Sequence, residues 1–184
     1  YLMTKLLIFP TDTVYGLGTP YLDKEGLKQI YEIKGRDFNK PIAILISNLD
    51  QVKEIAKVSD NAFKVASKFW PGGLTLIFES SDAYYKKSGE KTIGLRMPNH
   101  KLALKLIDEL GPLKTTSVNY SNQAPLNEYD AIIKVFGDKV DKVYPNEEVL
   151  SEVSSTVIDF THDLPSLIRQ GDITLDEIMK VLEK

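Results

Sequence analysis

The sequence predicts a layered α/β domain with helices packed on a mixed β-sheet, and three observations carry that expectation. Short apolar runs of strand character alternate along the 184 residues with amphipathic stretches of helical period. Three of those helical stretches stop at chain breakers: Gly35, Pro71-Gly72-Gly73 and Gly111-Pro112. Not every connection is a strand-helix-strand crossover, so strands are expected in both directions. A hydrophobic content of 42% and a charged content of 27% suit one globular domain over residues 1–184.

Residues 5–9 read as a buried strand that ends at Pro10, followed by a hydroxyl-rich turn. A helix is expected over 23–34, with Leu27, Ile30 and Tyr31 on one face. Residues 42–46 form a second apolar strand. Helical patterns return over 49–57, through Val52, Ile55 and Ala56, and over 60–69, through Phe63, Ala66 and Phe69. Residues 74–78 and 92–97 are strand-like, and 100–110 is a helix through Leu102, Ala103, Leu106, Ile107 and Leu110. A strand over 113–118, a helix over 128–136 and a strand over 155–160 follow. Thr174 and Glu177 form a capping box for the last helix. The polar segment 137–154 carries no clear period.

Composition excludes several chemistries. The chain has no cysteine, so thiol nucleophiles, disulfides and thiolate metal sites are absent, and His100 and His162 lack metal-ligand spacing. No apolar run reaches bilayer length, so no membrane partner is expected. The first residues, Tyr1 to Lys5, are too short an apolar stretch for a secretory signal, which makes the cytoplasm the expected compartment. The abrupt start in a strand-like run points to an element upstream. A net charge of −3 argues against a strongly basic nucleic-acid surface.

Cation usage is the sharpest functional signal. Twenty lysines accompany only three arginines, Arg36, Arg96 and Arg169, each beside a glycine or proline break. Lysine suffices for solubility, whereas a planar fork that grips carboxylate or phosphate needs arginine. Structural salt bridges explain any one of them as well; three at loop edges favour anion handling. Lys34, Arg36 and Lys40 cluster at a helix C-terminus, where dipole compensation explains one cation but not three. Thr11-Asp12-Thr13 and Thr115-Thr116-Ser117-Val118-Asn119 offer donors and acceptors for a polar ligand, though Asp and Thr favour turns anyway. Gly16-Leu17-Gly18 is not a dinucleotide fingerprint, since a third glycine is lacking. Trp70 reads as a packing wedge. No serine has a histidine partner, which disfavours covalent catalysis.

Taken in order, these segments resemble the YrdC-like family of threonylcarbamoyl-AMP synthases. The resemblance rests on Phe-Pro-Thr-Asp-Thr-Val-Tyr-Gly-Leu-Gly at 9–18, Lys-Gly-Arg at 34–36 and Trp-Pro-Gly-Gly-Leu-Thr at 70–75. It continues through Thr-Ile-Gly-Leu-Arg-Met-Pro-Asn-His at 92–100, Ser-Val-Asn at 117–119, Ser-Thr-Val-Ile-Asp at 155–159 and Ile-Arg-Gln-Gly at 168–171. It spans nearly the whole chain and takes in all three arginines. The implied fold is YrdC/RibB-like, a twisted mixed sheet flanked by helices around a deep, positively charged cavity. The implied reaction joins L-threonine, bicarbonate and ATP into L-threonylcarbamoyl-adenylate and pyrophosphate, for tRNA N6-threonylcarbamoyladenosine modification.

By that resemblance Thr13, Arg96, the Thr115 backbone and Ser155 would hold threonine, with Arg96 forking its carboxylate. Arg36, Lys40, Thr92, Ser117, Asn119, Ala124 and Arg169 would hold ATP, and Lys34 phosphate or bicarbonate. Lys34, Arg36 and Arg96 are the implied catalytic set, with Mg2+ expected on the nucleotide phosphates. The physical logic agrees: an N-carboxy anion must approach an α-phosphate, so cations must offset the repulsion between them.

The chain departs from the family pattern in places. Leu45 stands where the family has a histidine, and Asp37 and Gly73 where it has prolines. The charged segment around Glu147 and Glu148 replaces an Asp-Gly-Gly stretch, and the usual first helix is missing. The length matches the short form, which would rely on separate transfer proteins and reach tRNA directly or through them. Two competing readings stand beside the synthase. One is a double-stranded RNA or tRNA-binding module without catalysis, disfavoured by the acidic balance and few arginines. The other is a paralogue acting on another carbamoyl or acyl acceptor, kept open by Leu45 and Asp37.

Overall fold

The computed structural model describes residues 4–184, so the reading of Tyr1 to Met3 as no part of a signal lies outside the described residues. In chain order the elements are β1 (Leu7–Phe9), β2 (Gly16–Pro20), α1 (Lys24–Lys34), β3 (Ile44–Leu45), α2 (Leu49–Ile55), β4 (Ala56–Lys57), α3 (Asp60–Phe69), β5 (Leu74–Ser80), α4 (Asp82–Ser88), β6 (Thr92–Arg96), α5 (Lys101–Leu110), β7 (Leu113–Ser117), α6 (Tyr129–Phe136), β8 (Lys142–Val143), β9 (Thr156–Asp159), β10 (Ser166–Arg169) and α7 (Leu175–Leu182). The strands join one sheet in the order β10-β9-β5-β6-β3-β7-β2-β1-β8, with β4 on β5. Pairs β1–β8, β3–β6 and β5–β9 run parallel and the others antiparallel, so the sheet is mixed.

Helix starts follow the residue chemistry. Asp23, Asn48, Ser59, Ser81 and Thr174 each accept a backbone N–H of the first turn, and the Thr174–Glu177 capping box is present. Gly35 closes α1 in the left-handed conformation at φ 60°, which a side chain would resist.

Strand alternation sorts the sheet into two unlike faces. Ile8, Leu17, Ile44, Leu76, Phe78, Leu95 and Ile158 share one face and build two apolar clusters with α1, α2, α3, α4, α6 and α7. Leu7, Phe9, Leu45 and Leu113 point the other way and pack against α5 and Tyr144. One helix covers part of that second face; the remainder is where the candidate site lies.

Several expectations need correction. Residues 16–18 are not turn but the start of β2, which is paired on both sides by β1 and β7. The strand over 42–46 shortens to Ile44–Leu45, and the helix over 49–57 stops at Ile55 because Ala56–Lys57 pair with β5. Helix α4 and edge strand β10 were not expected at all. Segment 137–154 contributes only β8 and otherwise runs as loop. Trp70 is the expected wedge: it is buried, and its Nε1 donates to the Leu74 carbonyl at 2.7 Å.

Candidate functional site

The partly covered face carries a cavity of about 290 Å³ whose wall includes all three arginines, Arg36, Arg96 and Arg169. Alternation explains the composition of its floor. Thr92, Gly94 and Arg96 of β6, Thr75 and Ile77 of β5, and Thr115 and Ser117 of β7 lie on this face, with Gly16 beside them. Short residues leave the room. A Cβ on Gly16 would come within 2.5 Å of the Thr115 methyl, and one on Gly94 within 3.3 Å of Thr75 and Ala43.

Arg96 is 5% exposed and fully dressed at its two terminal nitrogens. Nη1 donates to Asp12 Oδ1 at 2.7 Å and to the Gly72 carbonyl at 3.1 Å. Nη2 donates to the Thr11 and Thr13 hydroxyls at 3.2 and 3.1 Å. Arg169 is anchored on Ser155, with Nε on its carbonyl at 3.0 Å and Nη2 on its hydroxyl at 3.1 Å. That hydroxyl also bonds Thr75 Oγ1 at 2.8 Å. Arg36 spends Nη2 on the Pro41 carbonyl at 2.9 Å, while its buried Nε has no protein partner.

Among the described residues no Asp or Glu lines the wall, and Asp12, between Thr11 and Thr13, is held by Arg96. Burial, and after it the fields of Arg96 and Arg36, hold the Arg169 guanidinium below its ordinary value. The three cations therefore feel one another across one space. Asp12 offsets the charge of Arg96, whereas Arg36 and Arg169 have no carboxylate on this wall, and that excess of positive charge favours an anion.

The structure brings together Thr13, Arg36, Thr92, Arg96, Thr115, Ser117, Ser155 and Arg169 on this wall. Four expected site residues are not on it. Lys34 is 2% exposed, and its ammonium lies inside the protein, donating to the Ser117 carbonyl at 2.5 Å and Asn119 Oδ1 at 2.6 Å. Burial, then the charge of Arg36, lowers its pKa to about 8. Asn119 receives that bond together with one from the Ser117 hydroxyl and donates Nδ2 to the Gln123 carbonyl, which ties the loop after β7. Lys40 and Ala124 are exposed beyond the wall. The clustered cations of 34–40 thus part company, one inward, one onto the cavity and one to solvent. The Thr115 backbone N–H is already given to the Ala43 carbonyl at 2.9 Å and its hydroxyl proton to the Leu113 carbonyl at 3.0 Å, so neither donor of this residue is free for a ligand.

Asp12 and Thr75, which hold Arg96 and Ser155, were not singled out. Both fell within motifs noted in the sequence, and period-two counting along 74–78 is the signal that points Thr75 toward Ser155's side. Leu45, Ile77 and Val157 supply apolar surface on the same wall, with Leu45 paired to Arg96 and Val157 to Arg169 across neighbouring strands.

Fold and site together define a mixed α/β domain whose partly bare sheet face carries a cavity lined by three guanidinium groups. The Sua5/YciO/YrdC family model, described as telomere recombination, matches residues 3–171, and the chain belongs to that family. It is 38% identical over 182 residues to a threonylcarbamoyl-AMP synthase of Pyrococcus abyssi, covering 97% of this chain and 54% of the relative. A Bacillus subtilis threonylcarbamoyl-AMP synthase is 33% identical over 183 residues, covering 97% and 53%. The crystal structure of P. abyssi Sua5 complexed with L-threonine superposes with a TM-score of 0.89 at 38% identity, over 97% of this chain and 54% of that one. The chain spans about half the length of these relatives.

Proposed function

We propose that this chain forms L-threonylcarbamoyl-adenylate and pyrophosphate from L-threonine, bicarbonate and ATP, in the cytoplasm and for tRNA modification. The observation that carries the reading is the convergence of Arg36, Arg96 and Arg169 on one cavity whose wall has no carboxylate. Residues 1–184 act in this proposal as one domain, and transfer to tRNA falls to separate proteins.

In the proposed reaction the threonine amine adds to CO2 derived from bicarbonate, giving an N-carboxylate, and the amine proton combines with the hydroxide released from bicarbonate as water. One of its oxygens attacks the α-phosphorus, the bond to the β-phosphate bridging oxygen breaks, and pyrophosphate leaves with that electron pair. Two anions must therefore meet, and the guanidinium groups lower the repulsion while offsetting the charge that develops at phosphorus. Thr13, Ser155 and Arg96 form the threonine end. A carboxylate that takes Arg96 must share its terminal nitrogens with Asp12 and the threonine hydroxyls. Arg36, together with Thr92, Ser117 and Arg169, forms the nucleotide end, and Lys40, Asn119 and Ala124 border it. Lys34 serves by tethering the Ser117–Asn119 loop. Among the described residues no group of three or more His, Asp or Glu is arranged to hold a metal, so Mg2+ enters as the ATP complex and no step is routed through a protein-bound ion.

Pyrophosphate release measured with threonine and bicarbonate present or omitted tests the reading. Release that requires both is expected. RNA binding without turnover, or turnover with another amine, would replace it.

A further inference from the structure

Lys114 stands on the helix-covered face of the sheet, opposite Ile44 and Thr19 on its neighbouring strands and directly behind the cavity floor. It is 1% exposed. Its ammonium donates to both Glu90 carboxylate oxygens, at 2.7 and 2.9 Å, and to the Ile42 carbonyl at 2.9 Å, so each of its three protons has a partner. Glu90 is braced in turn by the Tyr84 hydroxyl at 2.7 Å.

The Ile42 carbonyl is the middle one of three. The Pro41 carbonyl before it accepts from Arg36 Nη2, and the Ala43 carbonyl after it accepts from the Thr115 N–H. Pro41, Ile42 and Ala43 all line the cavity. A short piece of wall with almost no strand pairing of its own is therefore pinned residue by residue. One of the pins is the guanidinium that the proposed reaction needs.

We infer that Lys114, braced by Glu90, is a positioning residue that fixes the 41–43 segment from behind the sheet and so sets Arg36 for the nucleotide. This rests on the reading of the cavity as an ATP site. Stability alone gives little reason for the pair, because apolar residues of similar volume often replace a buried ion pair without loss. Burial pushes the Lys114 ammonium down from its ordinary lysine value and Glu90 opposes that push, which is the balance a retained charge requires.

The test is Lys114→Met with Glu90→Gln, which removes both charges and keeps an acceptor for Tyr84. Melting temperature is expected to stay within about 5 °C of the parent. Hydrogen exchange of peptides covering 36–45 is expected to speed up, and the calorimetric Kd for ATP to rise about tenfold, with that for threonine changed less than about twofold. Glu90→Gln alone, at a carboxylate 31% exposed, is the second variant should the pair not fold. It is expected to shift exchange and ATP affinity the same way by a smaller factor. Parent-like exchange and ATP affinity in a folded variant would overturn the positioning role only. A parent chain that binds no ATP would overturn the nucleotide reading and this inference with it.

Discussion

The two faces of the sheet handle cations in opposite ways. On the helix-covered side and its flank, Lys34 and Lys114 are almost fully enclosed, and their donors are spent on protein carbonyls, an amide and Glu90. On the partly bare side, three arginines share a cavity with no carboxylate on its wall. The Lys114 ammonium, saturated by three protein acceptors, has nothing left to offer a ligand, and that of Lys34, with two, is enclosed away from the cavity. A planar guanidinium anchored by some of its five donors can still present the rest. The lesson is that a cation marks a site by the donors it can still turn toward open space, and not by its charge alone.

The largest expected effects break that contrast within the arginine set. Arg96→Ala and Arg36→Ala should each lower pyrophosphate release at least about a hundredfold, as for loss of transition-state charge contacts. They should differ in stability. Arg96→Ala leaves Asp12 without its cation and takes one donor from each of two threonine hydroxyls, and is expected to cost about 3 kcal/mol in urea unfolding. Arg36→Ala removes one bond to the Pro41 carbonyl and is expected to cost about 1 kcal/mol or less. Near-parental turnover in either variant removes that residue from the site. Equal destabilisation by the two would erase the distinction between an anchored and a ligand-facing guanidinium.

A smaller effect probes why the cavity face is built from short residues. Gly16→Ala places a methyl 2.5 Å from Thr115 Cγ2, across the β2–β7 pairing. Overpacking of that kind is expected to cost about 2 kcal/mol by thermal or chemical denaturation. Thr115→Ser removes the opposing methyl, so the double variant should recover most of the loss. Additive losses in the double variant would show that Gly16 is required for its backbone and not for space.

Much of this organisation was legible in the chain, and the exceptions have physical causes. Strands such as 74–78 and helices such as 60–69 were readable because one face of each is buried and the side chains alternate accordingly. Strand β10, Ser-Leu-Ile-Arg, is exposed at every residue, so no period marks it as sheet. Strand β2 contains Gly16 and Gly18, which look like turn residues until β1 and β7 are seen to close on either side of them. The arginines stood out because lysine dominates elsewhere. What sequence could not separate was Lys34 from Arg36 and Lys40. All three sit within seven residues, and only the packing of α1 against the loop after β7 turns the first inward. Asp12 was likewise visible as a turn residue, but its ion pair with Arg96 spans 84 positions of chain.

The inward lysine gives the finest test of the contrast. Lys34 titrates at about 8 in the folded chain against an ordinary lysine value near 10.4 in the unfolded one, chiefly because burial penalises its charged form. Below about pH 8 both states carry the proton and the penalty is fully present. Between about pH 8 and pH 10.4 the folded state releases the proton while the unfolded state keeps it. The unfolded chain then binds more protons, so this group makes stability rise with pH, by at most about 1.4 kcal/mol per unit. Lys34→Met lacks the titration, and subtracting its urea-unfolding free energy from the parent's at each pH cancels the other groups. The difference is expected to shift in favour of the parent across that window and to be flat from pH 6 to 7.5. A difference that stays level up to pH 10 would mean that Lys34 keeps its proton. It would then belong with Lys114, as a buried cation fully compensated by its partners.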